Sequence, residues 1–416
     1  AAGADSWTFD TAGDAADVAD GLAVVTSSRY MPPWPASDKS VPMQHSRALS
    51  NADIKLLKDW ADAGGKLDEP RGTEVKPPST PEVSVPRADL TLSLPEPYQG
   101  SPTKPDDYRC FVLDPKFTTT TYMTGYVFTP DQPSIVHHAL VYKQRAASRA
   151  RVDAKDAADP GSGFACGAGM AGTGMGGQLV AGWVPGQRPQ DFKPGDGFEF
   201  RPGDYLVAQI HYHYGAENPL DRSSMSIQVA PPGERITPLQ TYELSAPVEL
   251  PCPAGATGKL CDRNAALADA AARFGPSGRI IPDALHAVCG TTPQEVAARS
   301  DGHQAHTTCD YRVPQAGRII DVLGHMHVLG SSYRMTLDPG TPQEKVLLDI
   351  PVWNFSWQLN YQPVDEIPVK PGDVIHVECN WNRDLRYDPD PRYILFAEGT
   401  GDEMCFSTYT LRPDPK

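Results

Sequence analysis

Short runs of alternating apolar and polar residues, each stopped by a proline or glycine turn, fill the chain from residue 89 onward. Runs at 110–113, 121–128, 135–142, 205–214 and 226–229 are followed by others at 318–323, 332–337, 345–350, 355–361, 374–381, 393–396 and 406–411. Lys193-Pro194-Gly195-Asp196 and Arg201-Pro202-Gly203-Asp204 are typical of the turns between them. Period-two runs of this length are strands, and their density predicts antiparallel β-sandwiches of jelly-roll type with few long helices. The 42 Pro and 36 Gly in 416 residues, with 40% apolar residues, agree with a proline-punctuated β protein. A chain of this length is too long for one core.

Residues 1–68 have a different pattern. Ser50-Asn51-Ala52-Asp53 reads as a helix start, and Ile54, Leu56, Leu57, Trp60 and Ala61 recur at helical spacing until Gly64-Gly65. Arg29-Tyr30-Met31-Pro32-Pro33-Trp34-Pro35 is too rich in proline for a helix or a central strand. The expected layout is a small helical segment (1–68), a proline-rich extended linker (69–88), a first sandwich (89–245) and a second (246–416). An insertion at 262–308 with a helix at 264–274 interrupts the second sandwich, and His286, His303 and His306 within it read as surface residues. The glycine-rich stretch 161–177 reads as a flexible loop. It lacks the Gly-Lys-Ser/Thr ending and the following helix of a phosphate cradle.

A formal charge of -15 and a pI near 5.1 argue against nucleic acid as a partner. No apolar stretch is long enough to span a membrane, and the opening Ala-Ala-Gly-Ala-Asp reads as a processed or truncated start. The eight cysteines form no Cys-x-x-Cys and no Cys-x-x-Cys-His motif, so neither a zinc ribbon nor attached haem is expected within the chain. Four disulfides in a secreted or periplasmic protein are expected instead. Many pairings are open to sequence; the preferred one joins neighbours, Cys110 with Cys166, Cys252 with Cys261, Cys289 with Cys309 and Cys379 with Cys405.

Histidines recur within the strand-like runs. His325 and His327 are two apart, so a strand would present both imidazoles to one point, and His211 and His213 would do the same. His137 and His138 are adjacent and would face opposite ways, so they can share a metal only where the backbone bends or a strand ends. Met404 adds a thioether, a soft donor that suits Cu(I) and serves zinc or magnesium poorly. Imidazole and thioether together point to copper and oxygen chemistry.

At these residues the chain resembles the copper type II, ascorbate-dependent monooxygenases, the family of peptidylglycine α-hydroxylating and dopamine β-monooxygenases. The resemblance covers about residues 95–413. It rests on Asp107-Tyr108-Arg109-Cys110, His137-His138, Gln209-Ile210-His211-Tyr212, His325-Met326-His327 with Leu329-Gly330, Pro371-Gly372-Asp373 and Asp402-Glu403-Met404-Cys405, in family order. It implies two jelly-roll-like sandwiches, each supplying one copper. His137, His138 and His211 would hold an electron-transfer copper; His325, His327 and Met404 would hold the copper that binds O2 and attacks a C–H bond. The pattern Gln-x-His-Tyr favours His211 as the third ligand, while His213-Tyr214-Gly215 would match His-Tyr-Gly.

Where the peptidylglycine enzymes hold a peptide carboxylate with Arg, Asn and Tyr, this chain has Leu323, Phe406 and Thr408. A buried carboxylate lacking those donors would be penalised, so peptide amidation is not expected and a small, neutral, hydrophobic substrate is. The N-terminal segment resembles the C-terminal half of a c-type cytochrome domain, with Met31 in the axial-methionine loop. Haem is not expected in this chain, and electrons would come from ascorbate or from a cytochrome partner. Non-catalytic copper storage, delivery or sensing is the alternative function. A cupin-type dioxygenase, which also uses His-x-His, would place Glu about four residues after the second His, where Ser331 stands.

Overall fold

The computed structural model describes residues 9–76, 85–101, 106–166, 176–215, 217–386 and 390–415. The opening five residues, the linker prolines Pro77, Pro78 and Pro81, and residues 167–175 of the glycine-rich loop lie outside them. The protein is mainly β, built from largely antiparallel sheets packed face to face in two sandwiches.

In the first sandwich one sheet runs Phe164–Ala165, Asp106–Leu113, Tyr205–His213, Val136–Gln144, Gln178–Trp183. The facing sheet runs Leu90–Ser93, Ser224–Val229, Thr121–Thr129, Asp196–Phe200, Thr237–Pro238. Alternation explains the core: Leu206, Ala208, Ile210 and Tyr212 meet Met123, Phe128, Met225 and Ile227 between the sheets. The opposite face of the same strand carries Tyr205 and Val207, which pack with Val152 of the helix Arg149–Ala158 and with the Cys110–Cys166 disulfide. Gln209, His211 and His213 continue that face toward the second sandwich.

The second sandwich pairs one sheet, Gln240–Ser245, Phe406–Pro413, Gly317–His325, Ile367–Val369, with another, Gln304–Arg312, Val374–Asn382, Gly330–Leu337, Lys345–Ile350. Gln240–Ser245 hydrogen-bonds along Phe406–Pro413, so these residues sit in the second sandwich although the expected boundary at 245 puts them in the first. The stretch 355–361, expected as a strand, is irregular apart from a bridge between Tyr361 and Val322. The expected insertion ends early, because Gln304–Arg312 is a sheet strand. The helix Ser277–Cys289 has no expected counterpart, since Pro282 lies inside it and reads as a break. All four disulfides join the preferred neighbours.

The helix expected to start at Ser50 is Asn51–Asp62, with Ser50 and Asp53 closing a capping box. Two further helices, Ala12–Asp17 and Ala19–Ser27, precede it. Residues beyond this unit lie on the second sandwich: Trp34 meets Tyr361 edge to face at 5.3 Å, and the Ser37 and Val41 amides donate to Asp349 and Val346 carbonyls. The start of the expected linker is tied down as well, with Val75 donating to the Asp10 carbonyl and Arg71 paired with Asp17. Within the described residues no helix is long and apolar enough to cross a membrane.

Gly324 lies beside Tyr333, whose hydroxyl bonds Ser407 at 2.7 Å, and a Cβ at position 324 would run into the Tyr333 ring. Gly324→Ala is expected to lower stability by about 1–3 kcal/mol through this overpacking. Denaturant unfolding checks it, and an unchanged midpoint would mean that the ring moves aside at no cost.

Candidate metal centre

His137 and His138 both reach one site because their strand is bulged there. Val136 pairs with Tyr212 and His138 with His211, so the bulged strand spends two residues where its partner spends one. The adjacent imidazoles then converge, with their Nδ1 atoms 3.1 Å apart. The ring of His211 is 5.0 Å from that of His137 and 4.9 Å from that of His138. One ligand nitrogen from each of the three lies within 4.8 Å of the others, an arrangement that could hold a metal ion.

The third member of this group is His211. Its Nε2 bonds Asp106 Oδ1 at 2.9 Å, while its buried Nδ1 has no hydrogen-bond partner. A carboxylate on one ring nitrogen fixes the tautomer that leaves the other as a lone-pair donor, so the unpartnered Nδ1 fits a metal ion. Tyr108 stacks on the His211 ring at 4.1 Å and holds its plane. His213 shares the face, as its spacing predicts, but its Nδ1 is engaged by the same Asp106 oxygen at 2.8 Å and its side chain is 44% exposed. Burial would raise the Asp106 carboxyl, but hydrogen bonds from both imidazoles hold it far below the usual carboxylate range.

The second pair adjoins the first. His325 ends the strand Gly317–His325, and its ring centroid is 5.1 Å from that of His327 and 5.9 Å from that of His138. The two sandwiches thus bring five imidazoles into one continuous cluster. His325 Nδ1 bonds Gln358 Oε1 and His327 Nδ1 donates to the Asp402 carbonyl at 3.2 Å, so each ring has its remaining nitrogen Nε2 for a ligand. Phe355 stands between the sets, stacked on His137 at 4.7 Å and edge-on to His327 at 6.1 Å. Burial holds the imidazoles neutral, with His325 pushed down to about 3 and His327 to about 4. Neutral imidazole is the form that binds a metal.

Met404 is buried and lines the same cavity as His325 and His327. Its position is locked from both sides. Cys405 is joined to Cys379, and Glu403 accepts from the amides of His327 at 2.9 Å, Leu329 at 2.6 Å and Met404 at 3.2 Å and from Trp381 Nε1 at 2.9 Å. Burial pushes Glu403 up to about 8 against the pull of those four donors. Of the other histidines, His286 corrects the expectation of a surface residue: it is buried, with Nε2 on Glu249 at 2.9 Å and Nδ1 on Thr291 at 3.0 Å. His303 is exposed beside Asp384, and His306 faces Asn380.

Asp106, Phe355 and Gln358 complete the site and were not singled out in the sequence. An Asp in register with a His is visible only once the strands are paired, and 355–358 belong to the stretch misread as a strand.

The cluster opens on a cavity of ≈ 210 Å³ between the sandwiches. His138, His325, His327 and Met404 line it together with apolar residues that include Leu140, Phe192, Leu323 and Phe406. His137 and His211 are set back from it.

No protein-family model and no curated protein matches the sequence. Among solved structures, the VP2 subviral particle of infectious bursal disease virus is similar at 7% identity over 81% of this chain and 75% of that one, with a TM-score of 0.18. Oxalate decarboxylase of Bacillus subtilis is similar at 10% identity over 84% and 87%, with a TM-score of 0.12, and vicilin from Solanum lycopersicum at 8% over 75% and 76%, also at 0.12.

Replacing His211 by Ala is expected to abolish binding of a metal ion at the first set. His213→Ala should weaken it by about 10- to 100-fold at most, the range for loss of a supporting contact. Calorimetric titration of the chelator-stripped protein with Cu2+ distinguishes them, and equal losses would make His213 a ligand. Glu403→Ala should cost roughly 3 kcal/mol by stranding four buried donors, read as a fall in the thermal midpoint.

Proposed function

We propose that this protein is a copper-dependent monooxygenase that hydroxylates a C–H bond on the hydrophobic body of a small molecule, with O2 and an external reductant. The observation that carries the reading is the asymmetry of two touching ligand sets. His137, His138 and His211 form a three-nitrogen set with two members withdrawn from the cavity, which suits holding and passing an electron. His325, His327 and Met404 all line the cavity, which suits meeting O2 and substrate. Thioether and imidazole donors favour Cu(I) over the common alternatives.

Copper bound at these sets would supply the one-electron steps that activate O2. In the overall reaction one oxygen atom enters the C–H bond and the other leaves as water, with two electrons and two protons drawn from the reductant. The protein's own part is positional. Asp106 and Tyr108 fix the His211 ring, Gln358 fixes His325, and the Asp402 carbonyl with Glu403 fixes His327 and Met404. The apolar wall of Leu140, Phe192, Leu323 and Phe406 excludes water from the place where a substrate carbon would lie. With copper held at both sets, the neighbouring rings of His138 and His325 would lie between the two ions. Ascorbate or a cytochrome partner would supply it from outside. The four disulfides fit maturation in an oxidising compartment, and a secreted or periplasmic enzyme follows from that reading.

The test is copper content by mass spectrometry after reconstitution, then O2 uptake with ascorbate. Two coppers per chain and substrate-dependent uptake are expected. Met404→Leu and His325→Ala should each abolish uptake while the first copper and the thermal midpoint remain. Turnover retained in either variant would remove the second set from the chemistry. Two coppers with no uptake from any donor would favour a copper carrier.

A further inference from the structure

The segment that follows the N-terminal helices runs as a strap along the second sandwich and ends against the first. Gln44 N donates to the Gln362 carbonyl at 2.7 Å, Val364 N donates to that of Pro42 at 2.8 Å, and Met43 bridges Pro363. Beyond these bonds Arg47 Nη2 donates to the Gly186 carbonyl at 2.8 Å, in the loop between the first-sandwich strands Gln178–Trp183 and Gln190–Asp191. That loop is itself tied to the second sandwich: Gln187 Oε1 accepts from Asn360 N at 3.2 Å and Gln190 Oε1 from Gln362 Nε2 at 3.1 Å. Where strap, loop and second sandwich meet there is a cleft of ≈ 60 Å³. His45 and Arg47 of the strap, Gln187 and Arg188 of the loop, and Asn360 and Gln362 of the second sandwich line it.

Charge in this cleft has one sign. No Asp or Glu is among the described residues that line it. Elsewhere along the same junction basic groups are answered by acids: Lys193 pairs with Glu366 at 2.9 Å, and Arg412 pairs with Asp196 at 3.4 Å and with Glu366. Arg47 and Arg188 are half-buried, and among the described residues neither pairs with a carboxylate, although the chain has 52 acidic residues to 37 basic ones. Burial, and after it the charge of Arg188, pulls both Arg47 and His45 below their usual ranges. His45 also takes φ 54°, a left-handed backbone that residues with a side chain seldom adopt, where its ring joins the cleft wall. Like charges crowded around a space gain from a counter-ion, and paired guanidinium forks match the oxygens of phosphate, sulfate or carboxylate. The volume admits a small ion and is far below that of a pocket for a larger ligand.

We infer that Arg47 and Arg188, with His45 at the rim, form a binding site for a small oxyanion that bridges the N-terminal strap to the first sandwich. The ion supplies the negative charge that the cleft lacks, and it adds to the one polar tie that Arg47 makes through the Gly186 carbonyl. Gln187 and Asn360 line the large cavity as well as this cleft, so the ion sits on the hydrogen-bonded seam between the sandwiches. The site is independent of the metal sets and of the reaction proposed for them.

Calorimetric titration of the full chain at pH 7 tests it with sulfate, phosphate and malonate, after dialysis into chloride and with ionic strength held constant so that screening alone gives no signal. At least one oxyanion should bind, at least tenfold more tightly than chloride, and should raise the thermal midpoint. Preference for sulfate and phosphate over malonate would assign a tetrahedral ligand, and the reverse a carboxylate. Arg47→Gln and Arg188→Gln should each weaken binding at least tenfold, while Arg201→Gln, at an exposed arginine paired with Glu199, should leave it within twofold. In chloride alone Arg188→Gln should unfold at or above the midpoint of the unaltered protein, because it relieves repulsion, so lost binding in that variant is not lost folding. No oxyanion bound more tightly than chloride, binding kept by both cleft variants, or a lowered midpoint of Arg188→Gln in chloride would each overturn the site. The last result would make Arg188 a packing contact, and binding kept by both variants would place the ion elsewhere, the metal sets included.

Discussion

A β-strand shows alternate residues to opposite faces, and this site exists because that alternation is broken in two strands. At Val136–His138 an extra residue lets two adjacent imidazoles converge on His211. Between Ile319 and Asp321 another shift moves Asp321 into phase with Leu323 and His325, away from the core. Without the first, His137 would point into the sandwich core beside Ile135 and Tyr212; without the second, a carboxyl would be buried among Val322 and Leu411. Both shifts occur in strands that are paired on two sides, so the surrounding ladders hold the irregular residues in place. The cost of each bulge is a locally disrupted ladder, and the return is chemistry on one face.

The parts of this arrangement that follow from period and spacing were legible in the sequence. The strand-rich sandwiches, the like-facing pair His211 and His213, and the neighbour pairing of the cysteines needed only local pattern. Convergence of His137 and His138 was legible only as a condition, because a bulge has no residue signature that alternation can reveal. Longer-range facts were hidden for the same reason. Asp106 matters because strand pairing sets it opposite His213 and beside His211, and Phe355 because an irregular loop carries it between the two histidine sets. The helix Ser277–Cys289 was concealed by Pro282, which this fold tolerates within a helix packed against the cavity through Ile281 and Leu285.

Holding five neutral imidazoles together without cationic partners carries a desolvation cost that ordinary hydrogen bonds offset only in part. The structure meets it by giving three of the five rings a fixed acceptor and leaving their other nitrogen toward the centre: Asp106 for His211, Gln358 for His325 and the Asp402 carbonyl for His327. Among the described residues the ring nitrogens of His137 and His138 bond only each other, so a cation at their converging nitrogens would supply the missing partner.

The same logic explains why Glu403 is tolerated at complete burial. A carboxylate there would be costly alone, yet it gathers the amides of His327, Leu329 and Met404 and the indole of Trp381. These donors come from the turn after His325, from the residue preceding the Cys379–Cys405 bridge and from the opposing sheet. One acceptor therefore couples the imidazole and thioether of the second set to a common anchor, and the disulfide fixes that anchor to the sandwich core. The soft thioether of Met404 thus sits on backbone held by Glu403 on one side and by the Cys379–Cys405 bridge on the other, which is the condition the proposed ligand role requires.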